Sequence, residues 1–202
     1  MTILYPVKSG LYVNLTNRCP CACSFCIRKN GDGAYGSDSL WLEREPSFDE
    51  IKAAFASVDL SRFSEVVFCG YGEPTERLDV LLETARFVRA LRPGLRIRVN
   101  TNGLSDLING RPTASDFAGL VDEISVSLNA ASAEEYVALC RPKFGLAAYD
   151  ALLAFAGAAK RHVPSVVMTV VRTDALTAEK ESACRAVCAR LGVVLRVREY
   201  VS

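Results

Sequence analysis

The feature that most constrains this chain is the regular exchange of two hydrophobic periods along its length. Short apolar runs of strand type alternate with stretches whose apolar residues recur every three or four positions. Leu11–Thr16 reads as a strand. Ser47–Val58 reads as a helix with Phe48, Ile51, Phe55 and Val58 on one face, and Ser47 and Glu50 form a capping box behind Pro46. Glu65–Cys69 is a continuous apolar run, the pattern of a strand covered on both faces. Arg77–Leu91 is helical and is stopped by Pro93-Gly94; Arg96–Asn100 is a strand; Thr113–Leu120 is a short helix with Thr113 and Asp116 as its capping box. Glu123–Leu128 is a strand, Ser132–Leu139 and Ala147–His162 are helices, Ser165–Val171 is a strand, Thr177–Leu191 a helix and Val193–Val201 the last strand. Six strands with helices between them predict parallel crossovers and an α/β fold. No linker divides the chain, so one domain is expected over residues 1–202.

Lys29–Glu45, with Gly31, Gly33, Gly36 and Trp41, is the one long irregular stretch, and reads as a lid. With 24 basic and 23 acidic side chains the chain is close to neutral, which argues against a protein that grips nucleic acid by bulk electrostatics. No apolar run reaches the roughly 18 residues of a membrane helix. Met1–Gly10 has no basic segment leading into an apolar core. A soluble cytoplasmic protein with no membrane partner is the expectation.

In parallel α/β folds, ligands bind at the carboxyl ends of the strands. The unusual residues of this sequence gather there. The first strand runs into Asn17-Arg18 and a cysteine cluster, the second into Gly70-Tyr71-Gly72-Glu73-Pro74, the third into Asn100-Thr101-Asn102-Gly103, the fourth into Ser127-Leu128-Asn129, and the fifth into Arg172. Four of the eight cysteines, Cys19, Cys21, Cys23 and Cys26, lie within eight residues. In a reducing compartment such crowding means metal or redox chemistry. At eight cysteines in 202 residues, the spacing Cys19-x3-Cys23-x2-Cys26 arises by chance in about 1% of sequences. Three thiolates on one loop can hold three irons of a [4Fe–4S] cube and leave the fourth iron open. A zinc knot with Cys21 as fourth ligand is the alternative. Elsewhere, Cys69 reads as core, and Cys184 and Cys188 share a helix face that with Cys140 would begin a second cluster lacking a fourth ligand. His162 ends a helix, where its charge suits the dipole. Arg86, Arg89, Arg92, Arg96 and Arg98 read as solvated surface.

The three-cysteine motif with Phe25 before its last cysteine, followed by Gly70–Pro74, resembles the radical S-adenosylmethionine (SAM) superfamily. The run from Asn17 to Arg28 further resembles the subgroup named for its association with TatD-type nucleases. The resemblance implies a partial (β/α)6 TIM-like barrel of radical SAM type, with Cys19, Cys23 and Cys26 ligating a [4Fe–4S] cluster whose open iron is chelated by SAM. It implies that Gly70, Tyr71, Gly72 and Glu73 hold the methionine amino group, with Tyr71 standing where the family usually has the first glycine of Gly-Gly-Glu-Pro. It places Thr101, Asn102, Ser127 and Asn129 on the ribose or carboxylate, Phe25 and Ile27 against the adenine, and Arg172 among the polar contacts. Reductive cleavage of SAM to a 5′-deoxyadenosyl radical and hydrogen abstraction would follow. Partners would be a one-electron reductant such as a flavodoxin or ferredoxin, and a TatD-type nuclease by resemblance alone. No catalytic side chain is assigned, and the substrate stays open among a partner enzyme, a small molecule and a nucleic acid. The non-catalytic alternative is an iron–sulfur electron carrier or redox sensor, which would need no SAM-shaped glycine turn.

Overall fold

The computed structural model of the chain describes residues 1–200. Its seven strands are β1 (Leu4–Val7), β2 (Gly10–Val13), β3 (Glu65–Phe68), β4 (Arg96–Thr101), β5 (Glu123–Ser127), β6 (Ser165–Arg172) and β7 (Val194–Glu199). They form one sheet in chain order, with β1 and β7 at its two edges. From β2 onward every pairing is parallel. The sheet curls but does not close, giving a partial barrel of the α/β class.

Helices α1 (Phe48–Ala56), α2 (Leu78–Leu91), α3 (Ser105–Asn109), α4 (Ala133–Cys140), α5 (Ala147–Ala159) and α6 (Ala178–Leu191) connect the strands. The Ser47–Glu50 capping box forms as expected, and Ser132 and Thr177 cap α4 and α6. The main core lies between the helices and the outer sheet face, where Val66, Phe68, Ile97, Val99, Ile124 and Val126 meet Ile51, Phe55, Leu81, Phe117 and Phe155. A second, smaller cluster fills part of the lumen: Tyr5, Val7, Tyr12, Val67 and Tyr71, with Ala34 and Leu40. Alternation along β3 sends Val66 and Phe68 outward and Val67 inward, so the continuous apolar run serves two cores.

Three expectations need correction, and one goes untested. There are seven strands, not six: β1 pairs antiparallel with β2 through a tight turn in which Lys8 is left-handed at φ 53°. Its four residues include Pro6, which lacks an amide donor and is tolerated at this sheet edge. The Thr113 capping box does not form. The Thr113 hydroxyl instead lies 2.7 Å from both Ser105 Oγ and Asp106 Oδ1, and only a 3-10 turn, Ala114–Phe117, follows. α3, which carries Ser105 and Asp106, was not foreseen. Val201, the expected end of the last strand, lies outside the described residues.

The arginines are not a solvated patch. Arg89 and Arg92 donate to backbone carbonyls that end neighbouring loops, Arg89 to Leu95 and Leu120, Arg92 to Leu60 and Phe63. Arg96 and Arg98 point into the floor of the barrel. There Arg98 pairs with Glu65 at 2.6 Å, and the buried Glu123 receives Arg96 at 2.7 Å and Arg196 at 3.2 Å. Of the five, Arg86 and Arg96 are exposed, and Arg86 alone has no partner among the described residues.

Candidate active site

Residues 17–30 leave β2 and cross the carboxyl end of the sheet. Three sets of backbone bonds fix this loop. Glu73 N donates to Arg18 O at 2.8 Å, which ties it to the turn after β3. Ala22 N donates to Cys140 O, Ser24 N to Leu139 O and Lys143 N to Pro20 O, which tie it to the end of α4. A bridge between Cys21 and Pro142 completes the seam.

Within the loop the four cysteines divide into two kinds. Cys19, Cys23 and Cys26 are half-buried, whereas Cys21 is buried and packs in the main core with Tyr136 and Cys140. Hydrogen bonding separates them further. A Cys21 thiol donor holds Cys19 below the usual thiol range. Donation from Cys140, and then from Cys21, pulls Cys23 down to about 4. Cys21 and Cys140 are pushed up, first of all because their protons serve those neighbours. The site therefore favours thiolates at Cys19 and Cys23 and neutral thiols at Cys21 and Cys140, and thiolates are what metals bind. Arg28 Nε lies 3.4 Å from Cys26 Sγ, and its Nη1 donates to Asn17 O. Among the described residues no three thiol, carboxylate or imidazole groups converge on a point for a single ion. An iron–sulfur cube needs no such convergence, since each iron takes its own thiolate.

The glycine turn is shaped by the chain itself. A Cβ at Gly72 would strike the carbonyl oxygens of Thr16 and Arg18, and one at Gly70 would strike the Asn14 amide. Glu73 is fully buried and accepts four hydrogen bonds: from Thr75 N, Thr75 Oγ1, Thr101 Oγ1 and Asn102 N, at 2.7–3.1 Å. Burial pushes its carboxyl up, and these four donors oppose that shift. Glu73 thus acts as a clamp between the β3 turn and the end of β4, and Thr101 is occupied in serving it. Tyr71 donates to the carbonyls of Gly31 and Gly33 and stacks edge-on against Trp41, so its side chain anchors the 29–45 loop.

That loop is pinned at several points and is not a free lid. Leu40 and Leu42 are buried beneath it. Asn14 donates to Leu40 O at 2.7 Å, Asn17 exchanges two hydrogen bonds with Leu42, and Glu45 is held by Thr16, Arg18 and Arg77.

The remaining candidates sit around the rim with unspent polar capacity. Asn102 Nδ2 reaches Cys21 Sγ at 3.8 Å. Asn129, left-handed at φ 60°, donates to Cys140 Sγ at 3.5 Å while its buried Oδ1 has no partner. Ser127 shares the lumen face of β5 with Glu123 and Ser125, and its hydroxyl makes no hydrogen bond among the described residues. Phe25 and Ile27 line the mouth of a cavity with Gly70 and Tyr71. Arg172 is turned aside, paired with Glu199 at 3.1 Å. Sequence reasoning missed Cys140, which α4 brings to Cys23. Cys69, read as core, packs against the smaller lumen cluster and also lines the lumen cavity beside Gly70. Alternation from Val67 was the available signal. Cys184 and Cys188 are buried in the main core, as is Cys140.

The donor set fits a [4Fe–4S] cluster with SAM. Three half-buried thiols are supplied with hydrogen-bond donors, and an orphaned buried amide oxygen and a free hydroxyl face the same rim. No curated protein matches the chain. Many solved structures share its fold. Among them are a radical SAM methyltransferase from Sphaerobacter thermophilus (19% identity, TM-score 0.61), anSMEcpe with bound AdoMet (16%, 0.63) and a methylornithine synthase (15%, 0.62). The alignments cover 97%, 94% and 95% of this chain but 57%, 50% and 53% of those proteins, so the chain spans about half their length. Among the described residues no helix is long and apolar enough to cross a membrane. Residues 13–179 match the sequence pattern of the Radical SAM superfamily, and with most of its length so matched, the chain belongs to that superfamily.

Proposed function

We propose that the chain is a radical SAM enzyme whose Cys19, Cys23 and Cys26 hold a [4Fe–4S] cluster. The observation that carries this is the division of the cysteines: Cys19, Cys23 and Cys26 are half-buried, while Cys21 is buried as a member of the main core. When bound, the reduced cluster and SAM supply a 5′-deoxyadenosyl radical able to take hydrogen from a C–H bond. The protein's own part is placement. The Glu73 clamp sets the spacing of the glycine turn and the Asn102 backbone. Ser127 and the Asn129 oxygen offer polar groups to the SAM ribose or carboxylate. Phe25 and Ile27 offer apolar surface to the adenine. The pinned loop keeps water from the lumen side. The run from Asn17 to Arg28 supports the TatD-associated subgroup, and a flavodoxin or ferredoxin of the cytoplasm is the fitting electron source.

Anaerobic reconstitution with iron and sulfide, followed by SAM and dithionite, tests this. Release of 5′-deoxyadenosine and methionine is expected. Four irons per chain with no SAM cleavage after prolonged reduction would leave an electron carrier in its place.

A further inference from the structure

A cavity of about 180 Å³ opens in the lumen between the first two strands and the last. Its walls are aromatic: Tyr5, Tyr12 and Tyr71, with Phe25 at the mouth. The hydroxyls of these three tyrosines are already engaged; Tyr35 and Tyr200 also border the cavity, and Tyr200 donates to Asn30 Oδ1. Tyr5 donates to Cys69 O, Tyr71 to Gly31 O and Gly33 O, and Tyr12 receives Arg98. What the rings present to the cavity is therefore flat apolar surface.

One lining group breaks that pattern. Arg198, on β7, is half-buried in the wall and makes no hydrogen bond or ion pair among the described residues. The other charged lumen arginines are spoken for: Arg98 by Glu65, and Arg96 and Arg196 by Glu123. The one acidic lining residue, Glu199, is paired with Arg172. A half-buried guanidinium with five donors and no acceptor calls for a planar oxoanion.

Size narrows the ligand. An apolar cavity of roughly 150 Å³ holds one benzene ring. Location sets it beside SAM. Phe25, Ile27, Gly70 and Tyr71, expected against the adenine and the methionine amino group, border this cavity, whereas Thr101, Asn102, Ser127 and Asn129 do not; Asn129 lines a second cleft that shares Phe25 with it. The cavity therefore runs from the edge of the expected SAM site towards Tyr5, Tyr12 and Arg198.

We infer that this cavity is the substrate chamber, and that it takes a single-ring aromatic carboxylate, the ring between the tyrosines and the carboxylate on Arg198. The inference rests on the enzyme reading above. Its test is calorimetry on the reconstituted protein with SAM present, using benzoate, benzamide, cyclohexanecarboxylate and phenyl phosphate as probes.

Benzoate should bind, benzamide at least tenfold more weakly for want of charge, and cyclohexanecarboxylate more weakly than benzoate for want of a flat face. Arg198→Ala should weaken benzoate about tenfold or more while leaving benzamide unmoved, and Arg198→Lys should recover part of the loss. Iron content and the thermal midpoint of each variant report whether it has folded, and Tyr12→Ala supplies a second, aromatic-wall variant that should weaken benzoate and benzamide alike. No benzoate binding, benzoate and benzamide binding equally, or benzoate binding indifferent to Arg198→Ala would each overturn the inference. Preference for phenyl phosphate over benzoate would overturn the carboxylate assignment. The enzyme reading fails separately: a protein that binds benzoate through Arg198 yet never cleaves SAM keeps the anion site and loses the proposed reaction.

Discussion

The two ends of the barrel lumen follow opposite rules. At the floor, on the amino ends of the strands, Glu65 and Glu123 are matched by Arg96, Arg98 and Arg196, and Ser165 adds a hydrogen bond to Glu123. At the rim, among the described residues, Arg198 has no anion, Asn129 Oδ1 has no donor and the Ser127 hydroxyl has no partner, and thiolates are favoured at Cys19 and Cys23. Buried polar groups are normally satisfied, so a floor of this kind is structural. A rim left open on one side of the same lumen is built for something the chain itself does not contain.

Substitutions at the two ends should accordingly fail in different ways. The largest effect is all-or-none and belongs to the rim: Cys23→Ala should abolish the reconstituted cluster, whereas Cys21→Ala should keep it, as read by iron and sulfide analysis. Iron lost from Cys21→Ala would make Cys21 a ligand. Next comes the floor. Glu123→Ala strands Arg96 and Arg196, while Arg98 keeps Glu65, and because the two stranded arginines are half exposed the loss should be about 2–3 kcal/mol, less than for a fully buried pair. Urea unfolding measures it; a change below about 0.5 kcal/mol would erase the distinction between the ends.

Ser127→Ala should do the reverse. It should move stability by less than about 0.5 kcal/mol, because the hydroxyl bonds nothing, yet weaken SAM binding several-fold by calorimetry. Cys140→Ala removes a thiol donor from Cys23 and should make the cluster harder to reduce, a more negative midpoint in a redox titration. The smallest effect lies outside the lumen. Arg44, and then the Ser47 amide, hold Glu50 down at about 2. Its folded value lies below its ordinary one near 4.3, so its contribution is full above that pH and is lost as pH falls through about 2. Glu50→Gln should flatten the acid limb of the thermal midpoint between pH 5 and 2.

The outer face of the barrel was legible because it is written locally: Val66 and Phe68, or Leu81 and Ala85, announce their burial by their own spacing. The floor was not. Arg96 and Arg98 look like solvent-facing charges, since Glu65 and Glu123, which neutralise them, lie about 30 residues away on other strands. The cysteine loop was legible as a motif, but Cys140 was not, because only the seam between residues 20–24 and the end of α4 brings it to Cys23. The 29–45 loop read as a lid from its glycines; its buried Leu40 and Leu42 were the overlooked sign that it is packed down. Gly70 and Gly72 were expected to admit a ligand, and they do admit something closely: the chain's own Asn14, Thr16 and Arg18.

Because the strands lie side by side in chain order, the sheet can grow as the chain leaves the ribosome, each new strand docking on the one just made. The lumen cavity does not share in that gradual growth. Tyr5 and Tyr12 come from the first strands and Arg198 from the last, so the chamber acquires its guanidinium only when β7 docks. A nascent chain stalled after β6 would carry the whole cysteine loop and the β3 turn, able to gather iron, while lacking the wall proposed to hold a substrate. The order of synthesis thus separates the reactive centre from the pocket that would restrain it, and makes the docking of β7 the step that completes the chamber.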